Sequence, residues 1–428
     1  MANSSEPPWV RAIALVDMNC FFAAVEQLDN AAWRKRPVAV TNGLLGTTII
    51  TSSYEARAFG IKTGMRLNKA RELCPDLIQA PSRPDRYAAL STNIMAALQQ
   101  ITPDVEIYSV DEAFLDITNC QSLLGSPLSI GRRIKKVVYD ISGLYCSVGV
   151  SGDKTTAKFA AKQHKPDGLT IVNPTDAERF LACHPISALS GINKGVAGFL
   201  ARYGIFRCSD MKKLPISILA KRYGNPGRRI WLMAQGQDPE KVSTNIKPPK
   251  TMGHGKNMPP ETIDRHIILT YYQHMAEKLA ARLRQYGFES KLFIISLKTK
   301  YQGWLSSKAT TVYPTDDGRQ IFYLCCTFLE QYWQGQGVWQ VRIVALNLQS
   351  EKQADLFEQR KPSPQREKIN QTVDGINEKF GEFAIEPSRL INRSEMPNVI
   401  APSRLIERSE MPNVITPSWQ PSGHRKTV

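Results

Sequence analysis

A chain of 428 residues is longer than a single hydrophobic core supports and is expected to divide into roughly two to four domains. Its hydrophobic content of 42% and charged content of 22% are those of a folded globular protein rather than a disordered one. Fifty-five lysines and arginines stand against 39 acids, and the resulting net charge of +16 points to a polyanionic partner, nucleic acid before membrane. No apolar run approaches the roughly 20 residues of a spanning helix and no basic amphipathic helix stands out, so no membrane association is expected. The eight cysteines show no CxxC pair and no zinc spacing with histidine, and residues 1–11 carry no secretory leader pattern. A reduced, cytoplasmic setting is the expectation.

Residues 12–25 form an apolar run broken by Asp17, which reads as a central strand with an acid emerging at its end. Short strands at 36–41 and 48–52 follow, separated by a glycine-bearing turn at 42–46. Helices are expected over 54–60, ended by Gly60, and over 67–74, ended by Pro75. Residues 84–101 read as a longer amphipathic helix with Tyr87, Leu90, Ile94 and Leu98 on one stripe. The stretch 108–118 has Val110, Phe114 and Ile117 as apolar positions and reads as a hairpin or paired strand ends, yet Asp111 and Glu112 lie side by side in it. Burying carboxylates costs several kcal/mol unless a cation meets them. Asp17, Asp111 and Glu112 converging without a basic residue in either segment predict an oxygen-ligated divalent metal, Mg²⁺ by chemistry.

A basic helix around 130–141 and a strand at 146–150 complete the first region, which reads as α+β, and Asn173-Pro174 marks its end. Residues 174–242 are helical and punctuated by glycine, with Ser190-Gly-Ile-Asn-Lys-Gly195 as their distinctive turn. After a proline-bearing basic linker at 245–250, a helix at 264–286, strands at 292–299 and 308–313, a helix at 319–334 and a strand at 340–348 predict a second α+β domain. From residue 351 the chain changes in kind. Residues 386–400 and 401–415 are a tandem near-duplicate built on Pro-Ser-Arg-Leu-Ile, two copies being too few for a solenoid, and disorder is expected there. A duplication without function and a duplicated partner-binding peptide both fit.

Four motifs decide between functions: Asp17-Met-Asn-Cys-Phe-Phe-Ala-Ala-Val-Glu26, Tyr54-Glu-Ala-Arg57 with Phe59-Gly-Ile-Lys-Thr-Gly-Met65, Ser109-Val-Asp-Glu-Ala-Phe-Leu-Asp116, and Lys165-Pro-Asp-Gly168. In this order, and over residues 10 to 350, the chain resembles the Y-family (translesion) DNA polymerases. The resemblance implies an α+β multidomain right hand. Its palm would be residues 1–26 and 79–173, its fingers 27–78, its helix-hairpin-helix thumb 174–242, its linker 243–250, its little finger 251–350, and 351–428 a disordered tail. It implies low-fidelity synthesis from dNTPs on primer-template DNA by a monomer, in the response to DNA damage. Asp17, Asp111, Glu112 and the backbone carbonyl of Met18 would hold two Mg²⁺ ions. Phe22 would be the steric gate against a ribose 2′-hydroxyl, with Phe21 beside it, and Thr51, Tyr54, Arg57 and Lys165 would contact the nucleotide.

Tyr54 and Arg57, at i and i+3, share a helix face, as a phosphate-binding pair requires. Asn19 departs from the Asp-x-Asp of many relatives at a position that is not one of the metal acids. Gly191, Asn193 and Gly195 match the thumb turn, Asn193 standing where glycine is usual and being tolerant of the left-handed conformation. Lys291, Lys298 and Lys300 would meet DNA phosphates, and Gln353-Ala-Asp-Leu-Phe357 resembles a peptide for the bacterial sliding clamp, with Gln353, Leu356 and Phe357 as its contacts. Two other classes compete: a scaffold that has lost the acids, against which all three are present, and a nucleotidyl cyclase, which has no use for the helix-hairpin-helix.

Overall fold

The computed structural model describes residues 8–44, 46–245, 248–350 and 364–391. They divide into two compact units, residues 8–245 and 248–391 of those described. Among these residues no helix is long and apolar enough to cross a membrane.

The first unit opens on β1 (Ile13–Met18), buried along its whole length. Then come α1 (Phe21–Asp29), β2 (Val38–Thr41), β3 (Ile49–Ser52), α2 (Tyr54–Ala58), α3 (Leu67–Leu73) and β4 (Ile78–Pro81). The last three strands form a small sheet in the order β3-β2-β4. The chain continues through α4 (Pro84–Leu98), β5 (Val105–Ile107), β6 (Glu112–Asp116), α5 (Gln121–Leu124), α6 (Pro127–Ser142), β7 (Cys146–Ser151), α7 (Lys154–Ala161) and β8 (Leu169–Ile171). The resulting sheet runs β5-β6-β1-β7-β8, with β1 antiparallel to both neighbours.

Strand alternation sorts β1 into two faces. Ala14, Val16 and Met18 pack with Tyr87, Leu90 and Ile94 of α4 and with Ile130 and Ile134 of α6. Ile13 and Leu15 pack with Phe114 of β6 and with Ala157 and Ala161 of α7. Asp17 therefore shares the α7 face. Helix α7 lies close against that face because Gly149 of β7 has no side chain: a Cβ there would stand 2.2 Å from the carbonyl oxygen of Ala157. Four further helices, α8 (Ala177–Ala182), α9 (Lys194–Ala201), α10 (Ile216–Tyr223) and α11 (Asn225–Met233), enclose their own core around Leu181, Leu200, Met211 and Leu219.

The second unit is a four-stranded antiparallel sheet of order β11-β10-β12-β9 packed against two helices. In chain order it comprises β9 (Thr251–Thr262), α12 (Arg265–Gln285), β10 (Ser290–Thr299), β11 (Gly303–Thr315), α13 (Gly318–Tyr332) and β12 (Val338–Leu346). Strand β9 is absent from the sequence expectation, because Gly253, Gly255, Pro259 and Pro260 argue against a strand. It occupies a sheet edge and pairs only with β12, and there proline and glycine are tolerated.

Part of the tail expected to be disordered is also ordered. Residues 364–391 form α14 (Pro364–Phe380) and a short turn, Ser388–Leu390. Arg284 holds Asp374 through two hydrogen bonds of 2.5 and 2.7 Å, Arg366 meets Asp317, and Phe383 stacks on His274 at 4.7 Å. The overall polarity of α14 concealed it, for its anchorage is ionic and only Phe383 and Leu390 are driven into the core.

Candidate active site

The antiparallel register of β1 and β6 sets Asp17 directly opposite Glu112. Asp111 sits one residue earlier, its carbonyl accepting the Met18 N–H at 2.9 Å. The three acids, nearly 100 residues apart in the chain, therefore meet at one end of the sheet. Asp17 is 5% exposed. Burial, reinforced by the charges of Glu112 and Asp111 and opposed by Lys165, pushes its carboxyl up to about 7. Burial also raises Asp111, against the hydrogen bond it accepts from the Ser109 hydroxyl at 2.6 Å. Two neighbouring carboxyls, Asp17 and Asp111, that resist ionisation in this way are suited to a cation.

Each acid rests on a protein donor. Lys165 Nζ sits on Asp17, Lys158 Nζ on Glu112 at 2.6 Å, and Ser109 on Asp111. Among the described residues no three ligand-type side chains are gathered as a ready metal cage. The donor set, three carboxylates beside the Met18 carbonyl with no sulfur or imidazole, fits a hard divalent ion once Lys165 turns away. Lys158 was not singled out in the sequence. The fold explains its role: Lys154 and Lys158 are i and i+4 on α7, whose eight residues are all buried, so both need an acid.

Of the nucleotide candidates, Lys165 pairs with Asp17 and Tyr54 lies within reach of its charge. Ser53 caps α2 by accepting the Ala56 N–H, which starts the helix directly after β3 and sets Tyr54 and Arg57 on one face, the guanidinium 4.9 Å from the phenol ring. Arg57 is exposed and steadied by its Nε donating to the Ser52 carbonyl at 3.0 Å. The Tyr54 hydroxyl is buried with no hydrogen-bond partner among the described residues. Thr51 is half-buried on β3 opposite Val40.

Lys165 stands on a loop held at two further points. Lys135 pairs with Asp167 at 2.9 Å, and the Gly168 N–H donates to the Ser147 hydroxyl at 3.2 Å. That hydroxyl donates in turn to Asn19 Oδ1 at 2.9 Å, so Asn19 braces the end of β1 against the lysine loop instead of adding a charge to the acid cluster.

Phe22 is half-buried and stacks on Tyr87, centroids 4.3 Å apart and planes 11° from parallel. The Tyr87 hydroxyl donates to Glu26 at 2.6 Å, and Glu26 also holds Arg83. Tyr87 was read from the sequence only as a core position. Phe21, expected in the nucleotide pocket, is 3% exposed, with its ring centre 5.8 Å from that of Phe22.

The DNA candidates are only partly gathered. Gly191 supplies the left-handed residue of its turn at φ 91°. Asn193 is extended instead (φ −80°) and caps α9, its side chain accepting the Val196 N–H at 3.0 Å, while Gly195 lies within the first turn of that helix. The expected left-handed Asn193 is thus corrected: its oxygen is worth more as a helix cap.

In the second unit, alternation puts Lys298 with Trp304 on the sheet face away from the helices, where Lys308 and Arg342 also lie opposite Ile294 and Ser296. Lys308 and Arg342 are missed basic residues, Arg342 set between the buried Val341 and Ile343 and Lys308 exposed between half-buried neighbours on β11. Lys300 instead pairs with Glu261 at 3.1 Å, and Lys291 is exposed at the end of β10. Gln353, Leu356 and Phe357 lie outside the described residues.

A fold of this order, with three acids at the central strand's end and a bracing lysine loop, defines a class. Family models of the impB/mucB/samB family match residues 16–162, and those of its C-terminal domain match 249–356. The chain belongs to this family, the Y-family DNA polymerases. It is similar to the DNA polymerase IV of Moorella thermoacetica, 33% identical over 385 residues that cover 87% of this chain and 94% of that one. It is also similar to the DNA polymerase IV of Desulfatibacillum aliphaticivorans, at 31% over 390 residues, covering 88% and 96%. Among solved structures, a Y-family DNA polymerase chimera of Dbh and Dpo4 superposes with a TM-score of 0.67 at 27% identity, over 79% of this chain and 99% of that one.

Proposed function

We propose that Asp17, Asp111 and Glu112 are the catalytic acids of this chain, a template-directed DNA polymerase of the Y family that carries out translesion synthesis. The observation that carries the reading is the direct pairing of Asp17 with Glu112 across β1 and β6, with Asp111 bonded to the next residue. Family membership implies a divalent metal, and two Mg²⁺ ions held by the three carboxylates and the Met18 carbonyl would neutralise triphosphate charge and acidify a primer 3′-hydroxyl.

The protein's own residues do the rest by position and charge. Lys165 leaves Asp17 for the triphosphate, which Arg57 and the Tyr54 hydroxyl also bind, with Thr51 beside them. Lys158 stays behind Glu112 and orients it. Residues 1–26 and 79–173 act as palm, 27–78 as fingers, 174–242 as thumb and 251–350 as little finger. The thumb turn at Gly191–Gly195 meets backbone phosphates through its N–H groups, and Lys298, Lys308 and Arg342 supply a basic sheet face that predicts steep salt dependence of binding.

Phe22 excludes the ribose 2′-hydroxyl, its ring held by Tyr87. The test is primer extension with dNTPs and with rNTPs. The wild-type chain extends only with dNTPs, whereas Phe22→Ala gains rNTP incorporation by about a hundredfold relative to dNTP. An unchanged sugar preference removes the gate assignment.

Gln353, Leu356 and Phe357 are proposed as a sliding-clamp peptide in a monomeric cytoplasmic enzyme of the DNA-damage (SOS) response. What supports this is two bulky apolar side chains in an otherwise polar segment. Leu356→Ala with Phe357→Ala is expected to abolish clamp-stimulated synthesis while unstimulated synthesis persists. Equal stimulation of the variant by the clamp discards the motif.

A further inference from the structure

The duplicated tail peptide has a seat on the second unit. The first copy's Pro387-Ser-Arg-Leu-Ile391 turns over the helix pair, with Leu390 fully buried and the Arg389 guanidinium 5.7 Å above the Phe322 ring of α13. The turn closes on its own backbone, Leu390 N–H to Pro387 carbonyl at 2.8 Å and Ile391 N–H to Ser388 carbonyl at 3.1 Å. Pro387, at φ −57°, is preset for it. The pentapeptide that fills this seat is repeated fifteen residues on in Pro402-Ser-Arg-Leu-Ile406. The copies differ at Glu386 against Ala401 and Asn392 against Glu407, both outside the pentapeptide.

We propose that the second copy is an alternative occupant of the same seat, in the same chain, with Leu405 and Arg404 taking the places of Leu390 and Arg389. Both copies trail the anchor at Phe383, and the tether to Leu405 is about three times as long as the tether to Leu390. Loop closure then favours the first copy by a factor on the order of five, too little to exclude the second. The tail therefore has two registers: one leaves the whole second copy beyond the seat, and the other closes the first copy into a loop. Two seats' worth of ligand for one seat keeps the groove covered against loss of either copy.

Cys326 reports on the seat. It is half-buried on α13, within electrostatic reach of Arg389. In the full-length chain its alkylation rate, resolved by peptide mass spectrometry, is expected to stay within about threefold of wild type in Leu390→Asp and in Leu405→Asp. In the double variant it rises at least about tenfold. A synthetic peptide of residues 401–407 slows the double variant back, and the same peptide with aspartate for leucine does not. Primer extension without a clamp, unchanged in the double variant, controls for folding. If Leu390→Asp alone reacts as fast as the double variant, or if its protection depends on protein concentration, the second copy does not share the seat within one chain and the proposal fails.

Discussion

Replacing Asp111 and Glu112 together, by alanine or by the isosteric asparagine and glutamine, lowers primer extension by at least about three orders of magnitude while primer-template affinity changes by no more than about threefold. The asymmetry follows from where charge is needed. The acids lie at the sheet end of the first unit, Asp17 and Glu112 on the α7 face, and have no part in the basic sheet face of the second unit or in the Gly191 turn. Removing two carboxylates strips the cation site of most of its charge and leaves Asp17 alone with Lys165, a neutral pair with little remaining attraction for a divalent ion. The isosteric pair separates charge from shape. Asparagine at 111 still accepts from Ser109 and glutamine at 112 still accepts from Lys158, so a loss of activity equal to that of the alanine pair assigns the effect to charge. Extension above about a tenth of wild type by either double variant would overturn the assignment of the three acids, whatever the family membership.

The parts of this site carried by chemistry were legible in the amino-acid sequence, and the parts carried by packing were not. Adjacent acids in a hairpin and a lone aspartate in an apolar run break the rule that buried charge is avoided, and both exceptions converge in the fold. Lys158 and Lys154 break the same rule on α7, yet a lysine-bearing helix reads as an exposed surface until Gly149 is seen to bring it against the sheet. The Asn19–Ser147–Gly168 relay joins three segments that pairing alone brings together, so no spacing announces it. Conversely, lysines expected to act together on DNA do not stay together in the fold: Lys298 keeps the open face, while Lys300, just past the end of β10, is taken up by Glu261. Edge strand β9 was missed because its glycines and prolines break local preference, and helix α14 because it is polar and held by ionic tertiary partners.

The second large effect is on stability, and it concerns the other α7 lysine. Lys154 and Glu106 are 3% and 1% exposed, and their charges meet at 2.8 Å, with the ammonium also 4.8 Å from the Phe114 ring centre. Glu106 further accepts the Ser243 N–H at 2.8 Å, and Lys154 reaches Glu240 at 3.2 Å. The pair thus fastens the segment following α11 to strand β5.

Removing one member leaves a buried charge against a low-dielectric wall, whereas removing both charges leaves only altered packing. Lys154→Ala is therefore expected to destabilise the first unit by about 3–5 kcal/mol, a fall of about 10 °C in its calorimetric midpoint. Lys154→Met with Glu106→Gln is expected to recover most of this, because methionine fills the stem's volume and glutamine still accepts from Ser243. Primer extension below the midpoint falls only severalfold in the single variant, since Lys158 one turn along keeps Glu112 in place. Equal destabilisation by the single and double changes would show that the lysine stem, and not its charge, holds the segment to the sheet.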